Sequence, residues 1–81
     1  DSFPGVLDEI MGVKCYLFGA HNEERLRGST KEILAKRDGA ICLGTKDGAL
    51  WITHLKEINH FKLPATYVLK KKIAGVQEDR L

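Results

Sequence analysis

Eighty-one residues suffice for one domain with a single modest core and are too few for the two lobes with which most enzymes enclose a substrate. A chain that is 43% hydrophobic and 30% charged lies outside the low-hydrophobicity, high-charge regime of disordered proteins. The net charge of +2, with basic and acidic residues interleaved, argues against a dedicated phosphate-binding surface and leaves nucleic acid unsupported as a partner.

In chain order, Ser2-Phe3-Pro4-Gly5 reads as an opening turn, with φ fixed at Pro4 and free at Gly5. Val6, Leu7, Ile10 and Met11 have helical spacing, and a short strand turning at Gly12 fits equally well, so local pattern leaves this piece open. Val13 to Ala20 is strand-like: Val13, Cys15 and Leu17 alternate with Lys14, Tyr16 and Phe18. His21 to Thr30 is polar and closed by Gly-Ser-Thr, which predicts an exposed loop with room for one helical turn. Glu32 to Arg37 follows as a short strand, and Asp38-Gly39 turns it into the most regularly patterned stretch of the chain, Asp38 to Leu55. That stretch predicts two strands joined at Asp47-Gly48, a preferred pair for a type I′ hairpin. These pieces form a three-strand meander.

After a polar connection at Lys56 to His60, Phe61-Lys62-Leu63-Pro64 resumes apolar alternation, and Pro64 bars a central strand. Ala65 to Leu69 is the last β-prone piece, and from Lys70 onward the composition offers little to bury. The expected organisation is therefore a barrel over 1–69 and a flexible tail or linker to a following domain over 70–81. Short strands with Gly-centred turns predict a mainly β fold, a small antiparallel β-barrel of oligonucleotide-binding-like type, because closure removes exposed sheet edges. There is no bilayer-spanning apolar run and no signal-peptide pattern, so the cytoplasm is the expected compartment and no membrane partner is expected. A start at Asp1 without an initiator Met suggests a fragment of a longer protein.

Cys15, His21, Cys42, His54 and His60 include no pair of zinc-finger spacing, so no metal site is expected. Both cysteines lie in apolar segments and read as buried thiols rather than nucleophiles. By alternation His54 shares a face with Leu50 and Ile52 and reads as a half-buried, hydrogen-bonded histidine. Trp51 is either a stacking platform or the main core filler, and the apolar setting favours core. Gly39, Gly44 and Gly48 lack phosphate-loop spacing and mark turns or, at Gly44, a bulge or close packing. Lys70, Lys71 and Lys72 read as a solvated tail, with polyanion binding the minority reading. No catalytic, cofactor-binding or metal-binding set is expected, and the candidate contacts to a ligand or partner are Trp51, His54, Lys62, Lys70, Lys71 and Lys72.

Phe3-Pro4-Gly5, a strand ending at Ala20, Gly39-Ala40 and Thr45-Lys46-Asp47-Gly48-Ala49-Leu50-Trp51-Ile52 together resemble the C-terminal domain of the formyltransferase family. The run Gly48 to Leu55 followed by Phe61-Lys62-Leu63-Pro64-Ala65-Thr66 is similar to the HypX-type hydrogenase maturation factors within it. One departure is Thr30-Lys31, where many formyltransferases carry Pro-Gly. The resemblance implies an oligonucleotide-binding-like barrel and a strand at Val6 to Met11. It places the catalytic Asn, His and Asp in an N-terminal domain with no matching position here. For the parent protein it implies N10-formyltetrahydrofolate as one-carbon donor, a coenzyme A-linked step and an enoyl-CoA hydratase-like C-terminal domain, in a pathway supplying carbon monoxide to the iron of nickel-iron hydrogenase. The alternative from the same resemblance is a tRNA-binding module of methionyl-tRNA formyltransferase type.

Overall fold

The computed structural model describes residues 5–79. The opening turn expected at 2–5 lies outside them apart from Gly5, whose φ is +95°. Eight strands precede one four-residue helix: β1 Val6–Ile10, β2 Val13–Phe18, β3 His21–Glu23, β4 Ile33–Arg37, β5 Ala40–Gly44, β6 Ala49–Ile52, β7 His54–Glu57, β8 Lys62–Pro64 and α1 Ala65–Val68. They form two four-stranded antiparallel sheets, ordered β1-β2-β7-β8 and β3-β6-β5-β4. The architecture is the mainly β, small antiparallel barrel that the turn spacing predicts, and Val6–Ile10 is a strand.

The two sheets are joined by two strands that each bend from one sheet into the other at the same place. β2 pairs with β7 up to Phe18 opposite His54, and β3 then pairs with β6 from His21 opposite Trp51. Between them, Gly19 at φ +69° meets Thr53, whose N–H and Oγ1 both donate to the Phe18 carbonyl at 3.1 and 3.3 Å. A Cβ on Gly19 would collide with Thr53 Oγ1. Glycine is required there by both φ and space.

Local chemistry accounts for the tight turns. Ile10 pairs with Val13 around Met11-Gly12, and Arg37 with Ala40 around Asp38-Gly39. All four turn residues have positive φ, at 51° and 83° and at 51° and 88°, which is the type I′ signature. The type I′ turn expected at Asp47-Gly48 is not there: Gly44 pairs with Ala49, neither Asp47 nor Gly48 has positive φ, and Thr45 N–H closes the longer loop onto the Gly48 carbonyl at 2.9 Å. Gly44 instead serves close packing, since a Cβ would strike the Ser29 carbonyl oxygen.

β5 reads as an almost continuous apolar run because both faces of its sheet are covered. Ile41, Leu43 and Ile52 face the main core with Ile10, Cys15 and Leu55, while Ala35, Cys42, Ala49 and Trp51 form a second cluster under Leu26 and Leu34. That leaves three corrections. His21 to Glu23, expected in a loop, pairs with β6 as an edge strand. Ala65 to Leu69, read as β-prone, forms α1 and its C-terminal cap: Pro64 at φ −53° starts it, and Ala65, Leu69 and Ile73 bury one stripe at four-residue spacing. Residues 70–79, expected as a tail, are packed. Ile73 is 2% exposed, Val76 packs on the core, and Glu78 bridges Lys36 in parallel beside β4.

Gly19→Ala is expected to destabilise the fold by about 2–4 kcal/mol, combining left-handed strain with the collision at Thr53. Gly12→Ala, at similar φ with nothing within 4 Å of the added Cβ, is expected to cost only the strain, about 1 kcal/mol. Urea denaturation of the two variants measures the difference, and equal losses would show that the close approach of Gly19 to Thr53 adds nothing to stability.

Candidate functional site

The six candidate contacts do not converge on one site. Trp51 is 3% exposed on the covered face of its sheet. Its Nε1–H donates to Glu23 Oε1 at 2.6 Å, and the Arg37 guanidinium lies 4.3 Å from the ring centroid. Glu23 also accepts from the backbone N–H groups of Arg25 and Leu26 at 2.6 and 3.0 Å. These donors, Trp51 first, hold its carboxyl down to about 2. Asp79 Oδ2 accepts from Arg37 at 2.7 Å and Arg25 at 2.9 Å, and the Asp79 carbonyl accepts from Arg37 Nε at 3.0 Å. The result is a saturated polar network around a buried indole.

His54 follows the bend at Thr53 out of its expected company. It stands opposite Phe18 and Pro64 on the outer face of the first sheet, not with Leu50 and Ile52, and its Nδ1 lies 2.9 Å from Thr53 Oγ1. It is half-buried and hydrogen-bonded, as its sequence setting predicts. Lys62 shares that face, with Nζ 4.8 Å from the Phe18 centroid, and Lys56 stands 5.7 Å over Tyr16. Lys70, Lys71 and Lys72 sit elsewhere, around a shallow groove beside Tyr67 and Leu63, and Lys70 covers the Tyr67 ring at 4.3 Å. The candidates thus fall into separate places: His54 and Lys62 beside Phe18 on the outer face, Lys70, Lys71 and Lys72 beside Tyr67, and Trp51 in the second core.

Cys15 and Cys42 are fully buried in β2 and β5. Desolvation pushes both thiols up to about 11, which disfavours the nucleophilic thiolate. His21 Nδ1 and His60 Nδ1 face the Gly19 and Ile58 carbonyls at 3.3 and 3.0 Å. Among the described residues no group of three His, Cys, Asp or Glu side chains is placed to hold a metal ion.

Sequence reasoning missed a groove of about 600 Å³ between the sheets, floored by Leu17, Leu43, Leu50 and Ile52 and lipped by Lys31 and Lys46. Its residues come from separate strands, so no contiguous motif announces it. Glu23 was equally hidden, in a stretch read as polar loop.

A profile of the formyl transferase C-terminal domain matches residues 1–72. The chain belongs to that family. Within it, the barrel is 34% identical over 76 residues to the hydrogenase maturation factor HoxX of Bradyrhizobium diazoefficiens, an alignment covering 91% of this chain and 13% of HoxX. The crystal structure of HypX from Aquifex aeolicus in complex with tetrahydrofolic acid superposes with a TM-score of 0.94 at 46% identity, covering 100% of this chain and 15% of that one. A multiply substituted variant of the same HypX gives 0.93 at 46% identity. The formyltransferase barrel thus spans about one seventh of the HypX chain. The profile match stops at Lys72, yet Ile73 fills the core of this barrel and residues 77–79 line its edge strand. No helix among the described residues is long and apolar enough to cross a membrane.

Glu23 gives a pH test. Its carboxyl is depressed from 4.5 to about 2, so its stabilising contribution is complete above pH 4.5 and is lost as pH falls toward 2. Glu23→Gln is expected to flatten that part of the stability–pH curve. Glu23→Ala, which leaves the Trp51 N–H without its acceptor, is expected to cost about 1–3 kcal/mol at neutral pH. Denaturant titrations monitored by Trp51 fluorescence check both, and an unchanged acid limb in Glu23→Gln would contradict the assignment.

Proposed function

We propose that this chain is the non-catalytic barrel domain of a HypX-like hydrogenase maturation protein. The observation that carries this reading is the 46% identity over the whole chain to a HypX whose crystal structure holds tetrahydrofolic acid. On this reading a formyltransferase domain of the same polypeptide takes its one-carbon unit from N10-formyltetrahydrofolate. An enoyl-CoA hydratase-like domain carries the coenzyme A-linked step, and the protein works in the cytoplasm. The barrel joins these parts and does no chemistry of its own. Buried thiols at about 11 and histidines engaged by carbonyl and hydroxyl groups support that silence.

The full-length protein is expected to bind tetrahydrofolate in calorimetry. Lys62→Ala and the combined Lys70→Ala, Lys71→Ala and Lys72→Ala changes are expected to leave the affinity within about twofold. A parent chain without a folate-binding domain would sink the HypX-like reading. Loss of folate binding in those variants would sink only the assignment of a silent barrel.

A second reading, a tRNA-binding module of methionyl-tRNA formyltransferase type, draws on one observation. The outer face of the first sheet interleaves Tyr16 and Phe18 with Lys56 and Lys62, a composition that suits single-stranded nucleic acid. Here each lysine lies over its aromatic neighbour, which occupies the ring face a base would stack on. That ranks nucleic acid second. Titration with tRNA at low salt, where phosphate-driven binding is strongest, is expected to show no binding, and a salt-sensitive complex weakened by Lys62→Glu would reverse the ranking.

A further inference from the structure

The inner faces of the two sheets are treated differently at their two ends. At the start of β5, α1 closes over the core: Ala65 N–H bonds the Thr53 carbonyl, Thr66 N–H bonds the Gly39 carbonyl, and Leu69 and Ile73 are 1% and 2% exposed. At the other end of β5 nothing among the described residues performs this office. There the inward row of the first sheet, Val6 opposite Leu17, faces Leu43, Leu50 and Ile52 of the second across the groove of about 600 Å³. Val6 is left 54% exposed although it points to the same side of its sheet as Leu55, which is fully buried. Val6, with half-buried Leu17 and Leu50, forms an apolar groove mouth above the buried Leu43 and Ile52, and an apolar surface left open in this way marks a site that another group covers.

The lips restrict what that group is. Lys31, held at φ +70° with its N–H on the Gly44 carbonyl at 2.8 Å, reaches across the mouth to Asp8 Oδ1 at 2.6 Å. This ion pair neutralises Asp8, the one acid among the described residues that line the groove. Lys46, two residues beyond that Gly44 carbonyl, is exposed at the rim and makes no ion pair with a described residue, and His21 stands beside the same groove. The unpaired charge at the rim is therefore the Lys46 ammonium, above an apolar groove. Most of the HypX chain lies outside the 15% that this barrel covers, so covering groups within the same polypeptide are plentiful. We infer that the groove seats an amphipathic segment of another domain of the same polypeptide, its apolar side chains on Val6, Leu17 and Leu50 and a carboxylate beside Lys46. This inference rests on the HypX-like reading, which supplies the other domain.

Val6 and Leu7 provide an internal comparison. They are neighbours on β1, at 54% and 52% exposure in the barrel alone, but Val6 faces the groove and Leu7 the outer face beside Tyr16. Hydroxyl-radical footprinting of the full-length protein, normalised to the denatured chain, is expected to label Val6 at least about fivefold less than Leu7 when a segment packs on the floor. Lys46→Glu, at an exposed loop position, is expected to raise Val6 labelling toward that of Leu7, whereas Lys14→Glu on the outer face leaves it unchanged. Equal labelling of Val6 and Leu7 in a chain that carries a formyltransferase domain overturns the inference and leaves the functional reading standing. A parent chain without that domain overturns the functional reading, and protection of Val6 in such a chain would still report an occupied groove. Protection that survives Lys46→Glu but disappears on detergent washing identifies a bound small amphiphile and also overturns the inference.

Discussion

The contact between Gly19 and Thr53 is the constraint on which the remaining geometry depends. Two strand segments that could each have continued in one sheet bend together there, and the hydrogen bonds from Thr53 to the Phe18 carbonyl carry the ladder through the bend. The consequence is that neighbouring residues go to different places. Ile52 is fully buried between the sheets, Trp51 lies on the far face of one sheet, and His54 emerges on the outer face of the other. A side chain at position 19 would separate the strands at this crossing, and the two cores would lose their common wall.

Burial of one sheet on both faces explains why the polar residues around it are so fully engaged. The second core has few residues of its own, and it is sealed by a loop whose backbone N–H groups end on Glu23 and by a C-terminal segment whose Asp79 binds Arg25 and Arg37. Single exposed ion pairs contribute little, but here the Glu23 carboxylate also accepts the part-buried Trp51 indole N–H and Leu26 backbone N–H, which would otherwise lack a partner. Residues 77–79 thereby become part of the barrel: Lys36 N–H donates to the Gln77 carbonyl and Asp79 N–H to the Lys36 carbonyl, which covers an edge strand that would otherwise expose its backbone.

Much of this was legible residue by residue. The alternation of Val13, Cys15 and Leu17, the apolar run at Ile41 to Leu43 and the Asp38-Gly39 pair marked strands and a turn where they occur. The errors share one cause, which is that local preference was overruled by partners far along the chain. His21 to Glu23 has no apolar alternation and is a strand only because β6 offers a free edge. Thr66, Tyr67 and Val68 favour a pleated surface, yet the stripe of Ala65, Leu69 and Ile73 turns the segment into a helical cap over the core. Asp47-Gly48 had the composition of a tight turn and lost it because Gly44, pressed against Ser29, pairs with Ala49 and leaves a longer loop between.

The sequence by itself determined the fold class, most strand positions, the burial of both cysteines and the family, because turn chemistry, alternation and ordered motifs are properties of neighbouring residues. Only the tertiary structure decided which candidate residues meet. Trp51, His54 and Lys62 are separated or joined by a bend at one glycine, and the apolar groove is assembled from strands distant in the chain. Sequence spacing measures distance along a strand and is blind to the point at which the strand changes sheets.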